Sequence, residues 1–161
     1  MGDLIVIRGN SGSGKSTVAR ALRARWGRGT ALVDQDTLRR QILREHVDVP
    51  DPIAPGLIDL TARYALDHGY RVIVEGILDR RRYGDMLIQL LKDHGGRAFY
   101  LDIPWPETVR RHATREQADQ FTVDEMRGWW RERDLLGVPR EVLISDASTV
   151  DETVAAIEHP R

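Results

Sequence analysis

The stretch Gly9-Asn10-Ser11-Gly12-Ser13-Gly14-Lys15-Ser16-Thr17 satisfies the pattern G-x-x-x-x-G-K-[ST] at every constrained position. Leu4-Ile5-Val6-Ile7 leads into it, a short apolar run bounded by a turn, which predicts a buried strand. Val18, Ala19, Leu22 and Trp26 follow at helical spacing. A glycine-rich loop between strand and helix is the setting in which this pattern cradles phosphate. Gly9, Gly12 and Gly14 let the backbone wrap closely, with positive φ where needed, so that successive N–H groups converge on one anion. The positive end of the following helix adds to that site. A nucleoside triphosphate is therefore expected here, held by Asn10, Ser11, Gly12, Ser13, Gly14, Lys15, Ser16 and Thr17. Lys15 is expected to reach the β- and γ-phosphates, and the Ser16 hydroxyl to ligate Mg²⁺.

Beyond the first helix, Gly27-Arg28-Gly29 supplies a glycine stop, and Thr30 to Val33 predicts a second strand that delivers Asp34-Gln35-Asp36. Thr37 to His46 reads as helix with Leu38, Ile42 and either Leu43 or Val47 inward, Asp36 placed to cap it and Asp34 preceding it. Three prolines and two aspartates between Asp48 and Gly56 require a loop. Helix is expected from Leu57 to His68. Arg71 to Glu75, nearly continuous in Val and Ile, predicts a central parallel strand. A helix from Tyr83 to His94, a strand from Ala98 to Ile103, and helices over Glu107–Thr114 and Thr122–Arg133 follow. Thr122 and Glu125 form a capping-box pattern. Val142–Ile144 and Thr149–Glu158 complete the alternation. Five strands interleaved with helices predict one α/β domain over residues 1–161, a P-loop NTPase with a five-stranded parallel sheet and an arginine-bearing lid at about 107–133.

Composition narrows the function classes. The chain has 161 residues, enough for one full core, with a formal net charge of −1 that gives no sequence-wide footprint for nucleic acid. It has no cysteine, which removes disulfides and thiolate metal sites. No apolar run approaches the ~18 residues of a membrane span. No secretory signal stands out, because the N-terminal apolar run belongs to the phosphate-loop strand, and a cytoplasmic location is expected.

Ligands in parallel α/β sheets sit at the carboxyl ends of the strands, which groups the loop, Asp34, Asp36 and Glu75 in one pocket. No Asn-Lys-x-Asp guanine signature occurs. The third strand ends in Glu75-Gly76 rather than in two adjacent carboxylates, so the usual arrangement for hydrolysing water is missing. Phosphoryl transfer to a hydroxyl needs a carboxylate that orients the acceptor, cations on the γ-phosphate, and closure against water. Asp36 or Asp34 can supply the first. Lys15, Mg²⁺ and lid arginines, Arg111 and Arg115 foremost at i and i+4, can supply the second. Asp34 is a candidate for holding Mg²⁺ through water, and Asp34, Asp36 and Glu75 for contacting the acceptor.

The phosphate loop, Val33-Asp34-Gln35-Asp36-Thr37 and Val74-Glu75-Gly76 together resemble the P-loop kinases that phosphorylate hydroxyls of small molecules. That group includes zeta-toxin-type sugar-nucleotide kinases, chloramphenicol phosphotransferase, gluconate kinase and the kinase half of polynucleotide kinase. The resemblance implies that Asp36 deprotonates the acceptor hydroxyl and that Glu75 helps to hold substrate. It also implies ATP and Mg²⁺ as cofactors, a small hydroxylated acceptor, and a monomer or homodimer. The Asp-Gly-Phe-Pro-Arg run of adenylate kinases is absent, which argues against a nucleoside monophosphate acceptor. Two other readings stand beside this one: a nucleotide-binding regulatory module with weak NTPase activity, and a 5′-hydroxyl polynucleotide kinase. Nucleic acid is disfavoured by the near-neutral charge.

Overall fold

The computed structural model describes residues 4–114 and 121–159. Five parallel strands, β1 (Leu4–Gly9), β2 (Thr30–Asp34), β3 (Arg71–Gly76), β4 (Arg97–Asp102) and β5 (Glu141–Ser145), form one sheet in the order β2-β3-β1-β4-β5. The phosphate-loop strand is therefore central, and every strand points its carboxyl end to the same edge. The helices are α1 (Lys15–Trp26), α2 (Ala54–Asp67), α3 (Arg80–His94), α4 (Trp105–Ala113), α5 (Val123–Trp129) and α6 (Val150–Glu158).

Side chains alternate across each strand, so the two faces of the sheet have separate cores. Leu4, Val6, Val72 and Val74 pack with Ile58 and Ala62 of α2 and with Tyr83, Leu87 and Leu90 of α3. Ile5, Ile7 and Ile73 pack on the other face with Val18, Ala19 and Leu22 of α1 and with Val154 and Ile157 of α6. All-apolar strands such as β1 and β3 are what two covered faces require. Expected element boundaries hold to within a few residues, and Thr122 and Thr149 both close capping boxes, with Glu125 and Glu152.

The segment after β2 departs from expectation. A π-helical turn spans Thr37–Ile42 and stops well before His46. Its i→i+5 hydrogen bond, from Leu43 N to Leu38 O at 3.0 Å, puts Leu43 rather than Ile42 beneath Leu38. Leu38 is buried as expected, whereas Ile42 is 61% exposed. The cap is also reassigned. Asp36 has helical dihedrals and no capping bond. Asp34 takes that role, accepting from Asp36 N at 2.9 Å and from the Thr37 hydroxyl at 3.2 Å.

Candidate active site

The register of the sheet builds the site. β1 and β3 pair so that Ile7 lies beside Glu75, and β2 pairs with β3 so that Asp34 lies beside Glu75. Glu75 follows Ile73 by two residues and so shares the α1 face of the sheet. There its Oε1 accepts a 3.0 Å hydrogen bond from the Ser16 hydroxyl on the first turn of α1. Glu75 is only 3% exposed. Burial pushes its carboxyl above the usual glutamate range; the charge of Lys15 and the Ser16 bond oppose the shift, and Asp34 and Asp36 reinforce it. Gly76 continues the strand where any Cβ would collide with the buried side chain of Gln35. That packing accounts for the glycine after Glu75.

The loop itself turns tightly, with Ser13 N donating to Asn10 O at 3.1 Å and Gly14 in the left-handed region at the head of α1. Lys15 is buried, its Nζ 3.3 Å from Asn10 O. Gly12 has φ 79°, and a Cβ there would lie 2.7 Å from the Thr108 carbonyl of α4. Helix α4 thus lies directly against the loop. Gly12, Gly14, Lys15, Ser16, Thr17 and Arg111 line a cavity of about 260 Å³. Arg111 donates from Nη1 to Ser13 O at 2.9 Å and from Nε to Glu107 at 2.9 Å. Arg110 and Arg111 together hold the Glu107 carboxyl down at about 2.

A second, larger cavity of about 550 Å³ meets the loop at Ser11. Asp36 stands on its wall, loosely paired with Arg39 at 3.9 Å and with its side chain 63% exposed. Phe121 and Trp129, in edge contact at 5.4 Å, line the same cavity. Trp130 turns away instead, to meet Trp105 edge-on.

The expected site residues therefore gather about one strand-end edge: the loop, Lys15, Ser16, Asp34, Asp36, Glu75 and Arg111. Arg115 lies outside the described residues. Among the described residues, no group of three or more His, Asp or Glu side chains is arranged to hold a metal ion. A divalent cation fits here in another way. Ser16 and Glu75 present two hard oxygen donors beside a loop cavity built for phosphate, and Mg²⁺ characteristically uses few protein oxygens together with substrate phosphates.

Arg8 escapes the sequence reading, and Asn10, expected to hold the triphosphate, has a contact that the sequence does not show. Arg8, 0% exposed, extends from β1 toward the α2/α3 face. It donates to Leu78 O at 3.0 Å, to Asp134 O at 2.7 Å, to the Asp134 carboxylate at 3.0 Å and to Glu141 at 3.3 Å. The side chain of Asn10 clamps the backbone of Arg131 from both sides, donating to its carbonyl at 2.6 Å and accepting from its N–H at 2.8 Å. The side-chain amide of Asn10 is thus engaged in fixing the end of the α5 segment against the loop. An arginine ending an otherwise apolar strand was the only sign of Arg8 in the sequence.

A family model described as AAA domain matches residues 4–132, most of the chain. The chain belongs to the AAA domain family. Within it the fold is that of small P-loop kinases, and three solved structures illustrate the likeness. The APS kinase CysC of Mycobacterium tuberculosis, solved in complex with AMPPNP and APS, superposes with a TM-score of 0.71 at 18% identity, over 98% of this chain and 95% of that one. A gluconokinase from Sinorhizobium meliloti gives 0.65 at 20% identity, over 96% and 89%. The Pnkp1/Rnl/Hen1 RNA repair complex contains a chain matching at 0.60 and 19% identity, over 84% of this chain and 49% of that one. No protein among those of curated function matches. Among the described residues, this AAA domain has no helix long and apolar enough to cross a membrane.

Proposed function

We propose that this AAA domain is an ATP-dependent phosphotransferase that moves the γ-phosphate of ATP to a hydroxyl of a small-molecule acceptor. The observation that carries the proposal is the second cavity, which opens beside Ser11 with Asp36 on its wall. A module that only bound nucleotide would need the loop cavity and no carboxylate-bearing chamber next to it.

The residues divide the work. Lys15, Arg111 and the loop N–H groups bind the triphosphate and offset the charge that builds up during transfer. Ser16 and Glu75 would hold Mg²⁺, which when bound neutralises phosphate charge. Asp36 orients the acceptor hydroxyl and takes its proton as the new oxygen–phosphorus bond forms and the bond to ADP breaks. Asp34 suits this less well, since both its oxygens already accept bonds from the turn that follows. Its place beside Glu75 suits a water-mediated contact to the metal. Helices α4 and α5 form the lid, and their packing on the loop excludes water from the reaction.

The test is single-turnover transfer from radiolabelled ATP to a panel of hydroxylated metabolites. Labelled product from one acceptor class supports the enzyme reading. Tight ATP·Mg²⁺ binding with no transfer to any acceptor would favour the regulatory module.

A further inference from the structure

The larger cavity is lined by six arginines and six carboxylates, and the two sets are engaged differently. Arg39, Arg40, Arg44, Arg81, Arg82 and Arg131 all line it. Carboxylates line it as well, but most are engaged by the backbone. Glu45 accepts from Ile53 N at 2.8 Å, Asp79 from Arg82 N at 3.3 Å, and Glu125 from Thr122 N at 2.6 Å. Asp134 accepts from Arg80 N at 2.8 Å and is paired with buried Arg8. Each of these holds a loop or a helix start in place, and N–H donors compensate its charge.

The arginines have no such engagement. Among the described residues, the side chains of Arg40, Arg44 and Arg81 make no hydrogen bond or ion pair with the protein. Arg82 and Arg39 donate to carbonyls, of Val47 and Glu45, which leaves their charge unneutralised by those bonds. Arg39 reaches Asp36 only at 3.9 Å. Arg40, Arg44 and Arg81 are exposed at the cavity, so their donors stay open to an anion that enters it.

We infer that the acceptor is an oxyanion: a small molecule that carries a phosphate, sulfate or carboxylate group in addition to the hydroxyl that is phosphorylated. The inference rests on the phosphotransferase reading and narrows it. Guanidinium groups match such oxygens in pairs, and about 550 Å³ is within the range of small-molecule sites. The anionic group sits among Arg40, Arg44 and Arg81, and the reacting hydroxyl faces Asp36.

The test has two arms. In the first, the loop is filled with AMPPNP·Mg²⁺ and inorganic phosphate is titrated while the arginine Nε–Hε signals are followed by NMR. Shifts of Arg40, Arg44 and Arg81 are expected, with affinity falling ~10-fold in the Arg40→Gln/Arg81→Gln double variant. If phosphate moves none of these signals while AMPPNP is bound, the inference is overturned. In the second arm, transfer is compared across acceptors matched except for one phosphate, sulfate or carboxylate group, alongside a 5′-hydroxyl oligonucleotide. The charged member of a pair is expected to react at least ~10-fold faster by kcat/KM, and the three oxyanions separate from one another by the same measure. Preference for the neutral members, or for the oligonucleotide, overturns the inference. Phosphate binding at these arginines with no transfer to any acceptor would sink the phosphotransferase reading and leave the anion site standing. Failure of AMPPNP to bind would sink the phosphotransferase reading and the acceptor role with it, and phosphate shifts at these arginines would then establish an anion site only.

Discussion

The Ser16 hydroxyl donates to the Glu75 carboxylate across 3.0 Å, and this bond ties the first turn of α1 to the end of β3. Because burial raises the Glu75 pKa, the folded chain holds that proton more tightly than the unfolded chain does. The stability it contributes is full below the ordinary glutamate value of 4.5 and is lost as pH rises through the raised value. Glu75→Gln cannot titrate, so its stability should vary less with pH over that interval. Affinity for Mg²⁺·ATP should move the opposite way in the native protein, strengthening as Glu75 ionises. Urea midpoints and Mg²⁺ titrations across the interval check both, and parallel curves for the two proteins would contradict the assignment.

Lys15→Ala should cost ~10²–10³-fold in transfer and also weaken triphosphate binding, because the ammonium acts in both ground and transition states. Isothermal titration with AMPPNP and single-turnover transfer measure the two separately. Full turnover in the variant would remove the phosphate-loop assignment.

Asp36→Asn keeps the side-chain shape and removes the base. It should bind ATP·Mg²⁺ normally and lose ~10²–10⁴-fold in transfer. Asp34→Asn should instead shift the Mg²⁺ dependence and loosen the turn that Asp34 caps. Near-normal single-turnover rates in Asp36→Asn would move the base to Asp34 or Glu75.

Arg8→Met should destabilise the fold by about 3–5 kcal/mol, since it leaves Glu141 and Asp134 with an unpaired, partly buried charge. Denaturant unfolding gives the number directly. A change below ~0.5 kcal/mol, the level of an ordinary surface substitution, would mean that these bonds are not maintained in solution.

Hydrogen exchange in α4 and α5 should slow when AMPPNP and Mg²⁺ are added, because Arg111 and Gly12–Thr108 packing join these helices to the loop. Unchanged exchange would count against their role as a lid.

Much of this was legible in the sequence because local signals agreed with one another. Gly9–Thr17 between an apolar run and a helical pattern fixed the loop, and Val74-Glu75-Gly76 fixed the strand beside it. What stayed hidden depends on neighbours far away in the chain. Arg8 meets Asp134 and Glu141, and Asn10 meets Arg131; no spacing rule links residues so distant. The π-helical turn is not legible because Leu38, Ile42 and Leu43 all fit the inward stripe of an ordinary helix, and only the bond from Leu43 to Leu38 shows the wider turn. The arginine cavity was equally hidden, as its members come from the turn after β2, from α3 and from the end of the α5 segment.

The strand order also sets a timetable for synthesis. β2 pairs only with β3, and β1 only with β3 and β4, so no two strands can join until Arg71–Gly76 has left the ribosome. Until then the apolar run Leu4–Ile7 has no partner strand and must be kept from unintended contacts. The phosphate loop is made before the two elements that brace it, β3 with Glu75 against Ser16 and α4 against Gly12. Residues through Ala113 must emerge before both of these contacts with the loop can form. Contacts this distant make folding slow, and a truncated or stalled chain would expose β1 without gaining any nucleotide affinity.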